Sequence, residues 1–246
     1  MTARCLSVSL VALCASSCFV VASKEQYTGP PPGCGACEET ARFEPTVPLE
    51  WITLFDGTSL DAFRGYRAED VPAGWRIVDG ALVRVDGAGD LITRGEWGSF
   101  ELAFEWRIPP GGNSGVMFHV SEDQGATWES GPEYQVLDNA ILGEDGDPST
   151  SAAANYALHA PSRDMTNPPG TWNRALLVVD HGHVEHWLNG VRVVSYDLWT
   201  PDWEARVAAT KFKTRPAYGR NRKGHIAFQD HGARVAYRNI RLLPLD

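Results

Sequence analysis

The stretch ALLVVDHGHVEHWLNGVRVVSYD, residues 175–197, alternates apolar and polar side chains around two short breaks, Asp180–His183 and Asn189-Gly190. Alternation with period two marks a strand with one dry face, and an Asn-Gly break is a preferred turn between antiparallel strands. Two hairpins in succession commit this part of the chain to an antiparallel sheet. WRIV-DG-ALVRV (75–85) repeats the pattern around Asp79-Gly80. In SFELAFEWRI (99–108), Phe100, Leu102, Phe104 and Trp106 share one face, with Glu101, Ala103 and Glu105 on the other. GHIAFQDHG and RVAYRNIRLLPL read as two closing strands. No stretch shows a long 3.6-residue apolar period between helix caps. Many short strands joined by tight turns predict an all-β antiparallel sandwich or jelly roll.

The N-terminal end differs in character. Residues 1–23, MTARCLSVSLVALCASSCFVVAS, have one Arg, an apolar run and then small residues, the pattern of an export signal peptide. ASSC at 15–18 also fits a lipoprotein signal, with Cys18 as a lipid-anchored first residue; cleavage near Ala22 or Ser23 is the other reading. Cys5 to Ala22 is also nearly long enough for a transmembrane anchor, though the small Ser- and Cys-rich end favours cleavage. The expectation is export: periplasmic, membrane-anchored or secreted. Residues 24–48 are rich in Pro and Gly and read as a linker, in which Cys34 and Cys37 form at most a local disulfide, since no second Cys pair completes a zinc site. Residues 49–246 then form one large domain. The net charge of −9 excludes a nucleic-acid partner.

GPEYQVLDN (131–139) carries the densest chemistry. Tyr134 and Val136 have the parity of a core face, so Glu133 and Gln135 project together from the other face into a groove. Asp138 has the core parity, so a strand end or bulge must bring it to the groove rim. His119 shares the parity of Met117 and is a further groove candidate.

LFDG (54–57), GGNSGVMFHV (111–120), GPEYQVLDN, GTWNRALLVVDHGHVEHWLNGVRVV (170–194), KF (211–212), GHIAFQDHG (224–232) and YRNIRLLPL (237–245) occur in that order. Together they resemble the 3-keto-disaccharide hydrolase family, also called the 3-keto-glucoside 1,2-lyase / 3-keto-2-hydroxy-glucal hydratase family, over about Trp51 to Leu245. The resemblance implies a concanavalin A-like jelly-roll sandwich of two antiparallel sheets. It also implies an oxidised carbohydrate substrate, made by a separate sugar 3-dehydrogenase. Two departures stand out: His119 where relatives often have Arg, and SAAANYALHAP (151–161), with Asn155 and His159, in place of the usual pattern.

The resemblance further implies cleavage of 3-keto-glycosides by loss of the carbon 2 proton, elimination of the carbon 1 substituent and rehydration. That route needs a base near carbon 2, an electrophile for the enolate oxygen and an acid for the departing oxygen. Glu133 is the expected base or acid and His231 a proton relay. Lys211 is the expected cation for the enolate, and Asp138 a group that orients a neighbour or a metal. Gln135, Asn113, Ser114, His119 and Gln229 are the expected substrate contacts. No cofactor follows from the sequence; carboxylates, His and Asn permit a divalent metal without fixing a site. HGHVEHW (181–187) tempts a metal reading, but exposed hairpin tips are polar in most sandwiches. Two other functions fit the same fold: a glycosidase using Glu133 and Asp138 as paired carboxylates, and a non-catalytic sugar-binding module.

Overall fold

The computed structural model describes residues 50–246. The expected signal peptide, Cys18 and the linker with Cys34 and Cys37 lie outside the described residues. Along the chain the first strands are β1 (Ile52–Phe55), β2 (Phe63–Gly65), β3 (Trp75–Val78), β4 (Ala81–Arg84) and β5 (Leu91–Thr93). Next come β6 (Phe100–Arg107), β7 (Asn113–Val120), β8 (Glu133–Leu137) and β9 (Asn173–Asp180). The last are β10 (His183–Leu188), β11 (Val191–Asp197), β12 (His225–Phe228) and β13 (Ala236–Pro244). They form two antiparallel sheets. One runs β11-β10-β9-β6-β13-β4-β3, with β1 also paired to β13; the other runs β2-β5-β12-β7-β8. The fold is a concanavalin-like sandwich.

Turn chemistry sets the hairpins. Asp79 and Gly80 have φ of 51° and 71°, and Asn189 and Gly190 have 50° and 84°. Positive φ at both central positions matches the twist of the flanking strands. His181 and Gly182 make the third such turn, with φ of 48° and 95°.

The alternation in β6 fills the space between the sheets. Phe100, Leu102, Phe104 and Trp106 are buried, as are Val116, Phe118, Tyr134, Val136 and Phe228 from the facing sheet. Phe104 meets Tyr134 edge-on at 5.5 Å between centroids, and Phe228 meets Tyr237 at 5.0 Å. Such offset contacts suit the ring quadrupoles and add to area burial.

A helix breaks the all-strand expectation. Residues Pro201–Ala209 form α1. The Thr200 side chain accepts the Trp203 N–H, Pro201 opens the first turn, and Asp202 and Glu204 lie where the helix dipole favours negative charge. The start signals were present in the sequence; nine residues are too few for a long apolar period to show. Trp203 anchors the helix in a column of rings. His159, Tyr196, Trp203, Tyr218 and Phe212 follow one another with interplanar angles of 12°, 8°, 5° and 10°. Its last ring, Phe212, belongs to the short turn Lys211–Thr214.

Candidate active site

Cross-strand register builds the site on the outer face of the smaller sheet. Glu133 pairs with Met117, Met117 with Ala227, and Ala227 with Ile92, so the four side chains form one row. In the next row Gln135 pairs with Gly115, whose carbonyl accepts the Gln229 N–H at 2.9 Å. Ile92, Met117 and Ala227 give an apolar floor on which Trp128 packs. At the polar end lies a cavity of about 150 Å³ lined by Asn113, Trp128, Glu133, Gln135, Tyr156, Lys211, Gln229 and His231.

Glu133 is buried, and its carboxyl lies across Gly115: a Cβ there would sit within 2.7 Å of the carboxyl carbon. Burial pushes the Glu133 carboxyl up to about 8; Lys211 opposes the rise and Asp90 adds to it. Partial burial in turn lowers Lys211, with Glu133 pulling it back up. The Lys211 ammonium stands 4.4 Å from the Tyr156 ring centre and 5.4 Å from that of Trp128. Both faces attract the cation and hold it near the carboxyl.

Two amide groups complete the lining. Gln135 donates Nε2–H to the Thr150 carbonyl at 3.2 Å, which fixes the amide and leaves Oε1 buried with no protein partner. Asn113 Oδ1 is buried and unpartnered in the same way. An unmet buried acceptor costs about 1–3 kcal/mol. Both acceptors suit a ligand rich in hydroxyl donors.

Six sequence-predicted residues, Glu133, Gln135, Asn113, Lys211, Gln229 and His231, therefore line one cavity. His231 and Gln229 lie just past the end of β12 rather than within it. The structure corrects the placement of three others. His119 has the right parity, but its φ of 53° coincides with a register shift between His225 and Ala227 on the partner strand. This bulge turns its ring against Phe100 and Phe118, where Nε2–H donates to the Gly98 carbonyl at 2.7 Å. Ser114 shares the inward parity of Val116. Its hydroxyl donates to the Gln229 carbonyl at 2.7 Å and lies 2.8 Å from the Tyr237 hydroxyl, so it braces Gln229 from behind. Asp138 caps the turn that follows β8, accepting Gly111 N–H at 2.7 Å and Ala140 N–H at 3.1 Å, and lines a different cavity.

The sequence reading missed Trp128 and Tyr156, which come from turns where parity says nothing. Tyr156 is placed by residues 153–156, which run beside β8: Gln135 N–H donates to Ala154 O and Tyr156 N–H to Glu133 O, both at 3.1 Å. Asn155 and His159 close the adjoining loop through a 2.9 Å side-chain bond. Among the described residues no three His, Cys, Asp or Glu side chains converge as metal ligands. In HGHVEHW, His181 and His183 pair with Asp180 and Asp197, each at 2.6 Å, and Glu185 pairs with Arg192.

The profile of the 3-keto-alpha-glucoside-1,2-lyase-like domain matches residues 50–243. The chain belongs to that family. A 3-keto-disaccharide hydrolase of Bacteroides thetaiotaomicron is 36% identical over 231 residues, covering 80% of this chain and 79% of its own. A crystal structure of a suspected glycosyl hydrolase from Parabacteroides distasonis is similar at TM-score 0.74 and 33% identity, covering 80% of this chain and 94% of its own. A second from the same organism is similar at TM-score 0.63 and 25% identity, covering 80% and 100%.

Proposed function

We propose that the chain cleaves 3-keto-glycosides by elimination at carbons 1 and 2 followed by rehydration. The observation that carries this is a buried carboxyl, pushed up to about 8 by its burial, that shares one cavity of about 150 Å³ with the Lys211 ammonium. A ketone at carbon 3 acidifies the hydrogen on carbon 2. Ionised Glu133 takes that proton, and the electron pair passes to the carbonyl oxygen as an enolate beside Lys211. Collapse of the enolate restores the ketone, forms the carbon 1–carbon 2 double bond and breaks the bond from carbon 1 to the glycosidic oxygen. His231 supplies a proton to the departing oxygen. Water then adds hydroxide to carbon 1 as His231 takes back a proton. Glu133, its acid proton exchanged with solvent, returns a proton to carbon 2, a net hydrolysis that restores both groups. Gln135 and Asn113 accept sugar hydroxyls, and Trp128 offers an apolar face. A base whose pKa lies near the working pH suits proton removal from a weak carbon acid.

The paired-carboxylate alternative lacks its second member, since Asp138 lines another cavity with both oxygens on backbone amides. The binding-module alternative gains Trp128 and Tyr156 as platforms but gives no reason to bury Glu133. We infer further that the substrate comes from a separate sugar 3-dehydrogenase, and that the N-terminal signal directs export with Cys18 as an optional lipid anchor. Turnover of a 3-keto-glucoside in D₂O tests the route. Elimination and rehydration place deuterium on carbon 2 of the released sugar faster than exchange without enzyme. Direct displacement at carbon 1 leaves carbon 2 at the enzyme-free level, and that result would reject the proposal.

A further inference from the structure

Asp90, at the entry to β5, does not line the cavity, yet its oxygens reach two turns that do. One accepts the hydroxyl of Thr127, the residue before Trp128. The other accepts the Asp230 N–H at 2.8 Å, between Gln229 and His231. The Asp90 carbonyl also accepts the Tyr66 N–H at 2.9 Å. Asp230 returns the connection: its carboxylate accepts Ala88 N–H at 2.7 Å and Gly89 N–H at 3.1 Å, together with Arg84 Nε–H at 2.7 Å. Nothing in a sandwich fold requires a carboxylate here, since an apolar residue would fill this end of the β5 strand at less desolvation cost. Burial does raise the Asp90 carboxyl, opposed by Thr127 and the Asp230 N–H.

We propose that Asp90 is a positioning residue that holds the Trp128 turn and the His231 turn at a fixed spacing across the sugar cavity. The proposal rests on the catalytic reading above for its effect on rate, but not for the anchoring itself. Pre-set spacing matters because small displacements of a catalytic group cost large factors in rate. Neither turn belongs to a strand, so neither inherits rigidity from the ladder.

Three variants test it, with 3-keto-trehalose as the substrate and amide hydrogen exchange as a readout independent of turnover. Asp90→Ala speeds exchange at the Asp230 amide at least tenfold and lowers kcat/KM at least tenfold. Asp90→Asn, which keeps an acceptor for Asp230 and offers an N–H to Thr127, restores slow exchange and recovers kcat/KM to within about threefold. Thr127→Val cuts one arm only, raising KM through Trp128 while Asp230 exchange stays slow; it also serves if the alanine variant does not fold. Unchanged Asp230 exchange in Asp90→Ala, or equal losses in Asp90→Ala and Asp90→Asn, would overturn the proposal. If the wild-type chain does not cleave 3-keto-trehalose, the catalytic reading fails, and exchange alone upholds or overturns the anchor.

Discussion

In the proposed route Glu133 meets two opposed demands. A base must ionise, but burial holds its proton until about pH 8, far above the ordinary carboxylate range. The charged groups that act on it are Lys211 across the cavity, which favours ionisation, and Asp90 outside the lining, which resists it. Tyr156, Tyr218 and Tyr237 also feel its charge. The rising limb of a kcat/KM–pH profile is therefore expected near pH 8. Lys211→Met moves that limb to higher pH, Asp90→Asn moves it to lower pH, and Glu133→Gln lowers kcat by about 10²–10⁴-fold. A limb that stays in place in both charge variants would assign it to another group. The same carboxyl links stability to pH. Its folded pKa is raised, so the folded state binds more protons than the unfolded one, and stability falls as pH climbs from the ordinary carboxylate range through about 8. Glu133→Gln accordingly raises Tm relative to wild type at pH 9, by about 1 kcal/mol or more in stability, with a much smaller difference at pH 4. Equal Tm differences at the two pH values would contradict the burial argument.

Strand β8 was legible because its side chains obey strict parity: Tyr134 and Val136 enter the core while Glu133 and Gln135 face the cavity. Strand β7 was legible only in part. Its bulge at His119 depends on the pairing with β12, a long-range relation that alternation within one strand does not encode. Between these strands Gly115 serves the site by having no side chain, because the Glu133 carboxyl occupies the space a Cβ would fill. Gly115→Ala meets no positive-φ penalty and is expected to fold, with Tm lowered by only a few degrees, while kcat falls at least tenfold as the carboxyl is displaced. Wild-type activity in that variant would show that the carboxyl tolerates another position. The Lys211 turn follows α1 and sits at the end of the ring column, so a segment outside the sheets delivers the cation.

At the scale of the molecule the sandwich was readable from alternation and positive-φ turns, since each strand reports its own dry face. The cavity was readable where strands build it, and family resemblance added Lys211 from a loop that composition alone describes as a solvated basic run. Trp128, Tyr156 and Asp90 stayed hidden because turns reveal neither direction nor partners until the sheets bring them together. His231 was found from its spacing to Gln229, although both lie beyond the strand that spacing presumed. The fold thus brings Glu133, His231 and Lys211 to one cavity, and the route proposed for them requires a ketone already present on the sugar ring. The most direct measurement offers purified protein a 3-keto-glucoside and the same glucoside unoxidised, following aglycone release from each. Release from the keto form alone, lost in Glu133→Gln, is the predicted result. Comparable release from both forms, or from neither, would contradict the account.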